Sequence, residues 1–160
     1  MRLAAVQRKT VEATVSNHSV YWRRRKTSPL YQAIVEIARR EAPNALTALD
    51  VGSSDSPMLT RLDWIPTLVA TDMQSRPQLW QHVHGIAFIR GDFMALNFDT
   101  RYDLVLCTQV VEHLPDALVG KFISKMASLA DTLIVSTTYQ MPSGTVKGHV
   151  QDPINRAEFV

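Results

Sequence analysis

The sequence predicts an α/β fold in which an open, doubly wound, mostly parallel sheet carries helices on both faces. Five short apolar runs, rich in β-branched residues, are nearly continuous rather than alternating, which is typical of strands buried on both faces. The segments between them are helical in pattern or long enough for crossover connections, as parallel strands require. We therefore expect about five strands in one layered α/β domain. The runs are 46–51, 67–72, 85–92, 102–109 and 131–137.

Length and composition fit one globular domain and exclude several other classes. The chain has 160 residues, of which 46% are apolar and 20% charged, and its net charge of +2 is too low for a disordered protein. No apolar run approaches the roughly 20 residues that span a bilayer, and no apolar stretch near the start is typical of a secretory signal. The single cysteine, Cys107, excludes a disulfide scaffold and suits a reducing compartment, so we expect the cytoplasm.

The charge is concentrated at the start of the chain. Residues 1–30 hold seven basic residues against one acid, a net charge of +6, whereas 31–160 carry −4. We divide the chain into a basic arm or lid at 1–28 and a domain at 29–160. The arm is consistent with a nucleic-acid or anionic-substrate contact, a targeting peptide, or a solvated lid, and we favour the lid. In that interpretation Tyr21 and Trp22 pin the arm to the domain.

Three further stretches have helical spacing. The first begins with Ser28 as an expected side-chain cap and Pro29 at its first position. A shorter one uses Ser56 and Pro57 in the same way. The stretches are 28–42, with apolar residues at Leu30, Ala33, Ile34, Ile37 and Ala38; 57–64; and 116–130, with Leu118, Val119, Phe122, Ile123, Met126 and Leu129.

Polar and small residues follow the ends of the predicted strands, where ligands bind in open α/β sheets. A turn of small residues follows the first run, and in it Gly52 can adopt positive φ and admit a ligand close to the backbone. Asp50 and Asp72 close the first two runs, 22 residues apart, a spacing that suits an acid accepting hydrogen bonds from a ribose. Asp92 closes the third run. The loop 108–115 after the fourth run mixes polar and apolar residues.

These residues stand in motifs that resemble the class I S-adenosylmethionine-dependent methyltransferases, from about residue 45 to 153. The most specific of the four is an aspartate-led apolar strand running into V-E-H-L. The chain departs from the family pattern in its first motif, which keeps Gly52 but has Ser54 and Ser56 where glycines are usual. The motifs are ALDVGSSDS (48–56), LVATDM (68–73), RGDFMAL (90–96) and YDLVLCTQVVEHLPD (102–116).

The resemblance implies S-adenosylmethionine as the cofactor, with its methionine end beside the first and fourth strands. By this resemblance Gly52 and Ser54 form the loop that lines the methionine moiety. Asp50 would meet the amino group, directly or through water, and Gln109 would lie close to the sulfonium. Acids and backbone amides suit a ligand with a cationic sulfur and an amino acid end.

The nucleoside end of the cofactor is assigned to the second and third strands, again by resemblance. Asp72, followed by Met73, would hold the ribose hydroxyls. Asp92 would contact the adenine amino group, with Phe93 beside the ring.

The acceptor side offers two histidines. Methyl transfer to an oxygen needs a base, and His113 and His149 are the candidates, with Asp152 able to orient His149. Each also has a simpler interpretation, His113 as a core histidine and His149 as part of a surface loop. We expect no metal, because neither the pair His82 and His84 nor Glu112 beside His113 has a full ligand set at ligating spacing.

The resemblance also implies a Rossmann-like strand order of 3-2-1-4-5. The family's last two strands form an antiparallel edge, and we expect them to be absent from this chain. The fifth strand would then have an open edge, and a homodimer paired along it is a hypothesis that light scattering tests.

The sequence therefore predicts a methyltransferase that acts on a small-molecule or sugar acceptor, at oxygen. Two alternatives within the same fold are an inactive binding or scaffold protein and a nucleic-acid methyltransferase that uses the basic arm. A nicotinamide-dependent oxidoreductase is disfavoured, because the turn at 50–56 lacks the glycine spacing of a pyrophosphate loop. No membrane partner is expected.

Overall fold

A computed structural model of the chain describes residues 23–25, 27–73, 85–138 and 146–150. Most of the basic arm lies outside these residues. The interpretations given above for Tyr21, Trp22, His82, His84 and Asp152 also fall outside them.

Five parallel strands form a single sheet in the order β3-β2-β1-β4-β5, as the sequence and the resemblance predict. The third strand is shorter than the apolar run, because the chain is still turning at Gly85, where φ is +66°. Within the described residues no further strand lies beside the outer edge of β5. The strands are β1 (Thr47–Val51), β2 (Thr67–Asp72), β3 (Ala87–Arg90), β4 (Tyr102–Thr108) and β5 (Ala130–Ser136).

Each face of the sheet is covered by a helix, and strand residues alternate between two apolar cores. One core joins alternate strand residues to α1 (Pro29–Glu41), and the other joins the residues between them to α2 (Asp116–Leu129). The prediction of helices on both faces is therefore confirmed. The first core includes Ala48, Ala70, Leu104 and Leu106, and the second Leu49, Val51, Val69, Val105 and Cys107.

The first helix begins as predicted at Pro29, but its cap and its buried stripe differ from the prediction. The Ser28 side chain makes no capping hydrogen bond; its carbonyl instead accepts from the Gln32 amide at 3.0 Å. Ala33, which was predicted to be buried, is exposed, whereas Tyr31 is buried. The stripe includes Tyr31 because its hydroxyl finds a partner in the core, the Ser56 hydroxyl at 2.9 Å.

The other two predicted helices also form, with adjustments. The segment 57–64 contains only a 3-10 helix at Met58–Arg61, with the Ser56 hydroxyl accepting from the Met58 amide at 3.1 Å. In α2 the fully packed side chains are Phe122 and Met126, and Leu118 is exposed. No helix in the described parts of the chain is apolar and long enough to cross a bilayer.

The amino ends of β1 and β4 are joined by side chains. One carboxylate oxygen of Asp103 accepts hydrogen bonds from the amides of Leu46 and Thr47 at 2.7 and 2.9 Å and from the Thr47 hydroxyl at 3.0 Å. Since all three bonds favour the ionised form, they hold the pKa of Asp103 below its usual value, with the two backbone bonds the larger cause.

A second side chain fastens the junction between α2 and β5, which follow each other without a loop. The Arg101 guanidinium donates to the carbonyls of Ser128 and Ala130 at 2.6 and 2.7 Å and to the Asp131 carboxylate at 2.8 Å. The last carbonyls of a helix have no hydrogen-bond donor within the helix. Arg101 therefore supplies donors to carbonyl groups that would otherwise bond to water where the chain passes from α2 into β5.

Candidate functional site

A cleft of about 400 Å³ opens at the carboxyl ends of β1 and β4. It brings together six of the residues predicted for the site, although they come from three separate parts of the sequence. These are Asp50, Gly52, Ser54, Gln109, His113 and His149. Residues that were not predicted to line it include Arg25, Tyr31, Ser53, Ser56, Thr108, Glu112, Thr138 and Val146.

The loops around the cleft are anchored where they leave the sheet. The Gly52 amide donates to the Thr71 carbonyl at 2.8 Å, and the Gln109 amide donates to the Ser136 carbonyl at 2.9 Å. On the other side of β2 the Gly91 amide donates to the Asp72 carbonyl at 3.1 Å. In each case the ladder of the sheet continues for one residue beyond the strand.

Gly52 occupies a position that no side chain fits. Its φ is +73°, and a Cβ atom there would lie 2.5 Å from a methyl group of Val110. Val110 belongs to the loop after β4, so the loops after β1 and β4 approach closely at this glycine. This agrees with the sequence interpretation of a tight turn that needs a residue without a side chain.

Ser54 adopts the left-handed backbone conformation that the family pattern reserves for glycine. Its φ is 43°, and its amide donates to a carboxylate oxygen of Asp72 at 2.9 Å. A serine in the left-handed region is uncommon, and the hydrogen bond from its amide to Asp72 stabilises this backbone conformation. Asp72 is half-buried at the end of β2 and is outside the set of described residues that line the cleft.

Gln109 is the second left-handed residue beside the cleft. Its φ is 58°, and it follows directly after β4. Non-glycine residues in this region cluster at ligand sites, because the surrounding structure must hold them there. Of the described residues, only Ser54 and Gln109 combine a side chain with positive φ, and both line the cleft.

Asp50 is a buried acid on the floor of the cleft. It is 2% exposed, and burial, followed by the nearby charge of Asp72, raises its pKa to about 7. A carboxylate in such surroundings is stabilised by a cationic partner, and an ammonium group is one.

Besides Asp72, three predicted cofactor residues do not line the cleft. A carboxylate oxygen of Asp92 accepts from the Met94 amide at 2.9 Å and so closes a turn, and Met73 is exposed. Phe93 is buried against the rings of Phe98 and Phe122, with centroids 5.6 and 5.2 Å away. Their assignment to the ribose and adenine stays a prediction.

The two candidate histidines are neighbours and both line the cleft. Their rings pack edge to face with centroids 4.8 Å apart, and the Nδ1 atom of His113 is 2.8 Å from the carbonyl oxygen of Gly148. They are separated by 35 intervening residues, so the sequence could nominate both without showing that they are neighbours.

Beside them lies Glu112, a site residue that the sequence analysis set aside. It is 3% exposed, one of its oxygens accepts from the Thr137 hydroxyl at 3.1 Å, and its carbonyl accepts from the Val150 amide at 3.0 Å. Its place in V-E-H-L, directly before a candidate histidine and after a strand, was the signal that could have identified it.

Cys107 lies within β4 and does not line the cleft. Its side chain is fully buried in the core of β4, and burial, with the charges of Asp50 and Glu112, raises the pKa of the thiol. The interpretation of Cys107 as a small buried apolar residue is confirmed.

Comparison with known proteins reveals similarity in structure rather than in sequence. A sugar N-methyltransferase from Streptoalloteichus sp. ATCC 53650 superposes with a TM-score of 0.64 at 17% identity, over 80% of this chain and 55% of that one. An S-adenosylmethionine-bound amino pentose methyltransferase from Micromonospora echinaspora gives 0.61 at 18% identity, over 78% and 56%. The chain has the class I methyltransferase fold.

A third structure, of a methyltransferase with a different substrate, is also similar in fold and low in sequence identity. Magnesium protoporphyrin IX methyltransferase from Synechocystis PCC 6803, with bound S-adenosylhomocysteine, gives a TM-score of 0.59 at 20% identity, over 81% of this chain and 68% of that one. The present chain spans little more than half the length of the two sugar methyltransferases. No protein-family model matches the sequence, and no curated protein sequence does.

Proposed function

We propose that this protein is an S-adenosylmethionine-dependent methyltransferase that acts on a small-molecule or sugar acceptor. The observation that carries the proposal is the cleft, which gathers Asp50, Gly52, Ser54 and Gln109 at the carboxyl ends of β1 and β4. Structurally similar proteins hold S-adenosylmethionine or S-adenosylhomocysteine in the same fold. The single buried cysteine is consistent with a cytoplasmic location.

The residues of the cleft fit the methionine end of this cofactor. Asp50 would supply a carboxylate for the ammonium group, and Gly52, which lines the cleft, lets the loops after β1 and β4 approach each other closely. Gln109 would face the sulfonium from the end of β4. Asp72, whose carboxylate accepts a hydrogen bond from the Ser54 amide, would take the ribose hydroxyls.

When bound, the cofactor supplies a methyl group that its sulfonium has already activated. The task left to the chain is to hold the acceptor in line and keep water away, which is a problem of positioning. For an oxygen acceptor a proton must also leave, and His113 or His149, which both line the cleft, would accept it. We propose oxygen as the acceptor atom.

Calorimetry with S-adenosylhomocysteine tests the cofactor assignment. Asp72→Ala should weaken binding by about 1.5–3 kcal/mol, since charge-assisted bonds to two hydroxyls are lost. Asp72→Asn keeps an oxygen that can accept from the Ser54 amide. It therefore separates the effect of losing the negative charge from the effect of losing the hydrogen bond that holds the loop. Asp99→Ala, which removes an exposed acid outside the cleft, is the control.

An unchanged dissociation constant in both Asp72 variants would remove this residue from the site. Wild-type binding of S-adenosylhomocysteine with no methyl transfer to any member of a hydroxyl-bearing acceptor library would instead indicate a binding protein. Absence of binding to the wild type would overturn the proposal as a whole.

A further inference from the structure

We propose that Glu112, His113 and His149 bind a divalent transition-metal ion at the acceptor side of the cleft. Each of the three residues offers one ligand atom, and these atoms lie within 4.8 Å of one another. Ligands held at about 2.0–2.2 Å from a tetrahedral metal lie about 3.3–3.6 Å from one another, so the widest of the three separations would have to close by about an ångström on binding. All three residues line the cleft.

The carboxylate of Glu112 supplies the first argument. The side chain is 97% buried, yet only one of its oxygens has a hydrogen-bond partner, the Thr137 hydroxyl. The other oxygen, Oε1, is buried without any partner among the described residues. A buried carboxylate oxygen in that condition is costly, and a cation is the partner that relieves it.

The ring of His113 is already oriented as a metal ligand would be. Its Nδ1 atom lies 2.8 Å from the Gly148 carbonyl oxygen, and because a carbonyl can only accept, Nδ1 carries the proton. The lone pair of the neutral ring is then on Nε2. Metal-binding histidines are commonly fixed in this way, by a backbone carbonyl on the nitrogen that does not bind the metal.

Gly148 permits this contact through its own conformation. Its φ is +91°, and a Cβ atom there would lie 3.3 Å from the Nδ1 atom of His113. The absence of a side chain lets the backbone approach the imidazole closely.

The third ligand, His149, is held near the other two by hydrogen bonds between its own segment and the segment that carries Glu112 and His113. The Val150 amide donates to the Glu112 carbonyl at 3.0 Å, next to the bond between His113 and Gly148. These two hydrogen bonds hold the segment that carries His149 against the 3-10 helix Val111–His113. The rings of the two histidines are 4.8 Å apart as a result.

The ligand set selects the class of metal. Two imidazoles with one carboxylate suit Mn²⁺, Fe²⁺, Co²⁺, Ni²⁺ or Zn²⁺, whereas Mg²⁺ and Ca²⁺ prefer oxygen ligands throughout. Three protein ligands also leave coordination positions open on the side of the cleft. In this arrangement the histidines hold the ion instead of accepting a proton, and an acceptor oxygen would bind at an open position.

Titration with Co²⁺ alone, followed by visible absorption, tests the site in the full chain without a histidine tag. We expect one ion per chain. Glu112→Gln and His149→Ala should each weaken binding by about tenfold or more, since loss of even an outer partner of a metal ligand typically costs about 10–100-fold. Glu36→Gln, which removes an exposed carboxylate outside the cluster, should leave the affinity unchanged. Excess Mg²⁺ should leave the Co²⁺ spectrum unchanged.

Equal Co²⁺ affinity in the wild type and in both cluster variants, or no Co²⁺ spectrum in the wild type, would overturn the proposal. His149→Ala lies in a loop, so it keeps the test valid if Glu112→Gln disturbs the fold, which circular dichroism would show. No cofactor is present in this titration. Binding of S-adenosylhomocysteine, measured separately, therefore distinguishes failure of the metal site from failure of the proposed methyltransferase.

Discussion

The two ends of the sheet are built on opposite principles. At the amino ends of β1 and β4, Asp103 and Thr47 satisfy each other and the neighbouring amides, and Arg101 closes the junction of α2 with β5. At the carboxyl ends, Asp50 is buried, and Ser54 and Gln109 are held at positive φ. One end therefore stabilises the fold, and the other holds groups at a cost to it.

The distribution of unpaired polar atoms shows the same division. Five buried side-chain polar atoms among the described residues have no partner, and four of them lie at or just after the carboxyl ends of strands. Such atoms are costly in a folded protein and mark places where a ligand completes the structure. Two of these four atoms, on Ser53 and Glu112, belong to residues that line the cleft. The four atoms belong to Ser53, Thr71, Glu112 and Ser136.

The largest expected effect concerns Asp50 and depends on pH. The folded pKa is raised to about 7 from 3.8, so the unfolded chain ionises first, and stability due to this group falls as pH rises from about 4 to about 7. Asp50→Asn should raise the free energy of unfolding at about pH 8 by about 3–4 kcal/mol, and by almost nothing near pH 4. Urea unfolding at the two pH values measures this, with Asp99→Asn as the exposed control. Destabilisation by Asp50→Asn at the higher pH would mean that Asp50 stabilises the fold, which contradicts the division drawn here.

The next prediction compares the stability change caused by substituting a glycine at the cleft with that caused by substituting a glycine elsewhere. Gly52→Ala places a methyl group 2.5 Å from Val110 at positive φ, and it should cost about 2–3 kcal/mol of stability together with cofactor binding. Gly120→Ala, in α2 with open space around it, should instead stabilise by about 0.5–1 kcal/mol.

Thermal unfolding of both glycine variants, beside binding of S-adenosylhomocysteine, gives the result. Adding Val110→Ala to Gly52→Ala should restore part of the stability, because the nearest atom is then removed. Equal stability of the two single variants would show that the close approach at Gly52 is unimportant.

The smallest effect lies at the amino ends. The folded pKa of Asp103 is lowered, so its contribution is present above its ordinary value of 3.8 and is lost as pH falls through the folded pKa. Asp103→Asn should lower the free energy of unfolding by about 1 kcal/mol at neutral pH, a value discounted for exposure. At pH values below the folded pKa the variant and the wild type should converge. Urea unfolding across this range would disprove the interpretation if the gap between them stayed constant.

The sequence predicts most of the fold because strand burial and crossover length are local signals. All five strands lie within the predicted runs, apart from Ala130, which extends β5 by one residue. The errors lie where tertiary partners decide. Tyr31 is buried because its hydroxyl forms a hydrogen bond with the hydroxyl of Ser56, 25 residues away. The Ser28 side chain makes no capping hydrogen bond, although serine is a residue type that favours one.

The sequence predicts which positions along the chain contribute to the site, but it does not predict which side chains contact one another there. The ends of β1 and β4 were identified as the ligand edge, since topology requires it, and the cleft is there. The side chain of Phe93 turns into the core, and Glu112 is placed against both histidines by contacts between distant loops. No periodicity or spacing in the sequence encodes those contacts.

The anchored loops have a consequence for how strongly the cleft can hold its ligand. Gly52, Gly91 and Gln109 each donate their amide to the neighbouring strand, so the loops after β1, β3 and β4 leave the sheet in fixed directions. A loop whose root is fixed has fewer conformations to lose when a ligand arrives, and less of the interaction free energy is spent on ordering it. The sheet thus contributes to affinity without touching the ligand, by limiting in advance the freedom of the loops that do.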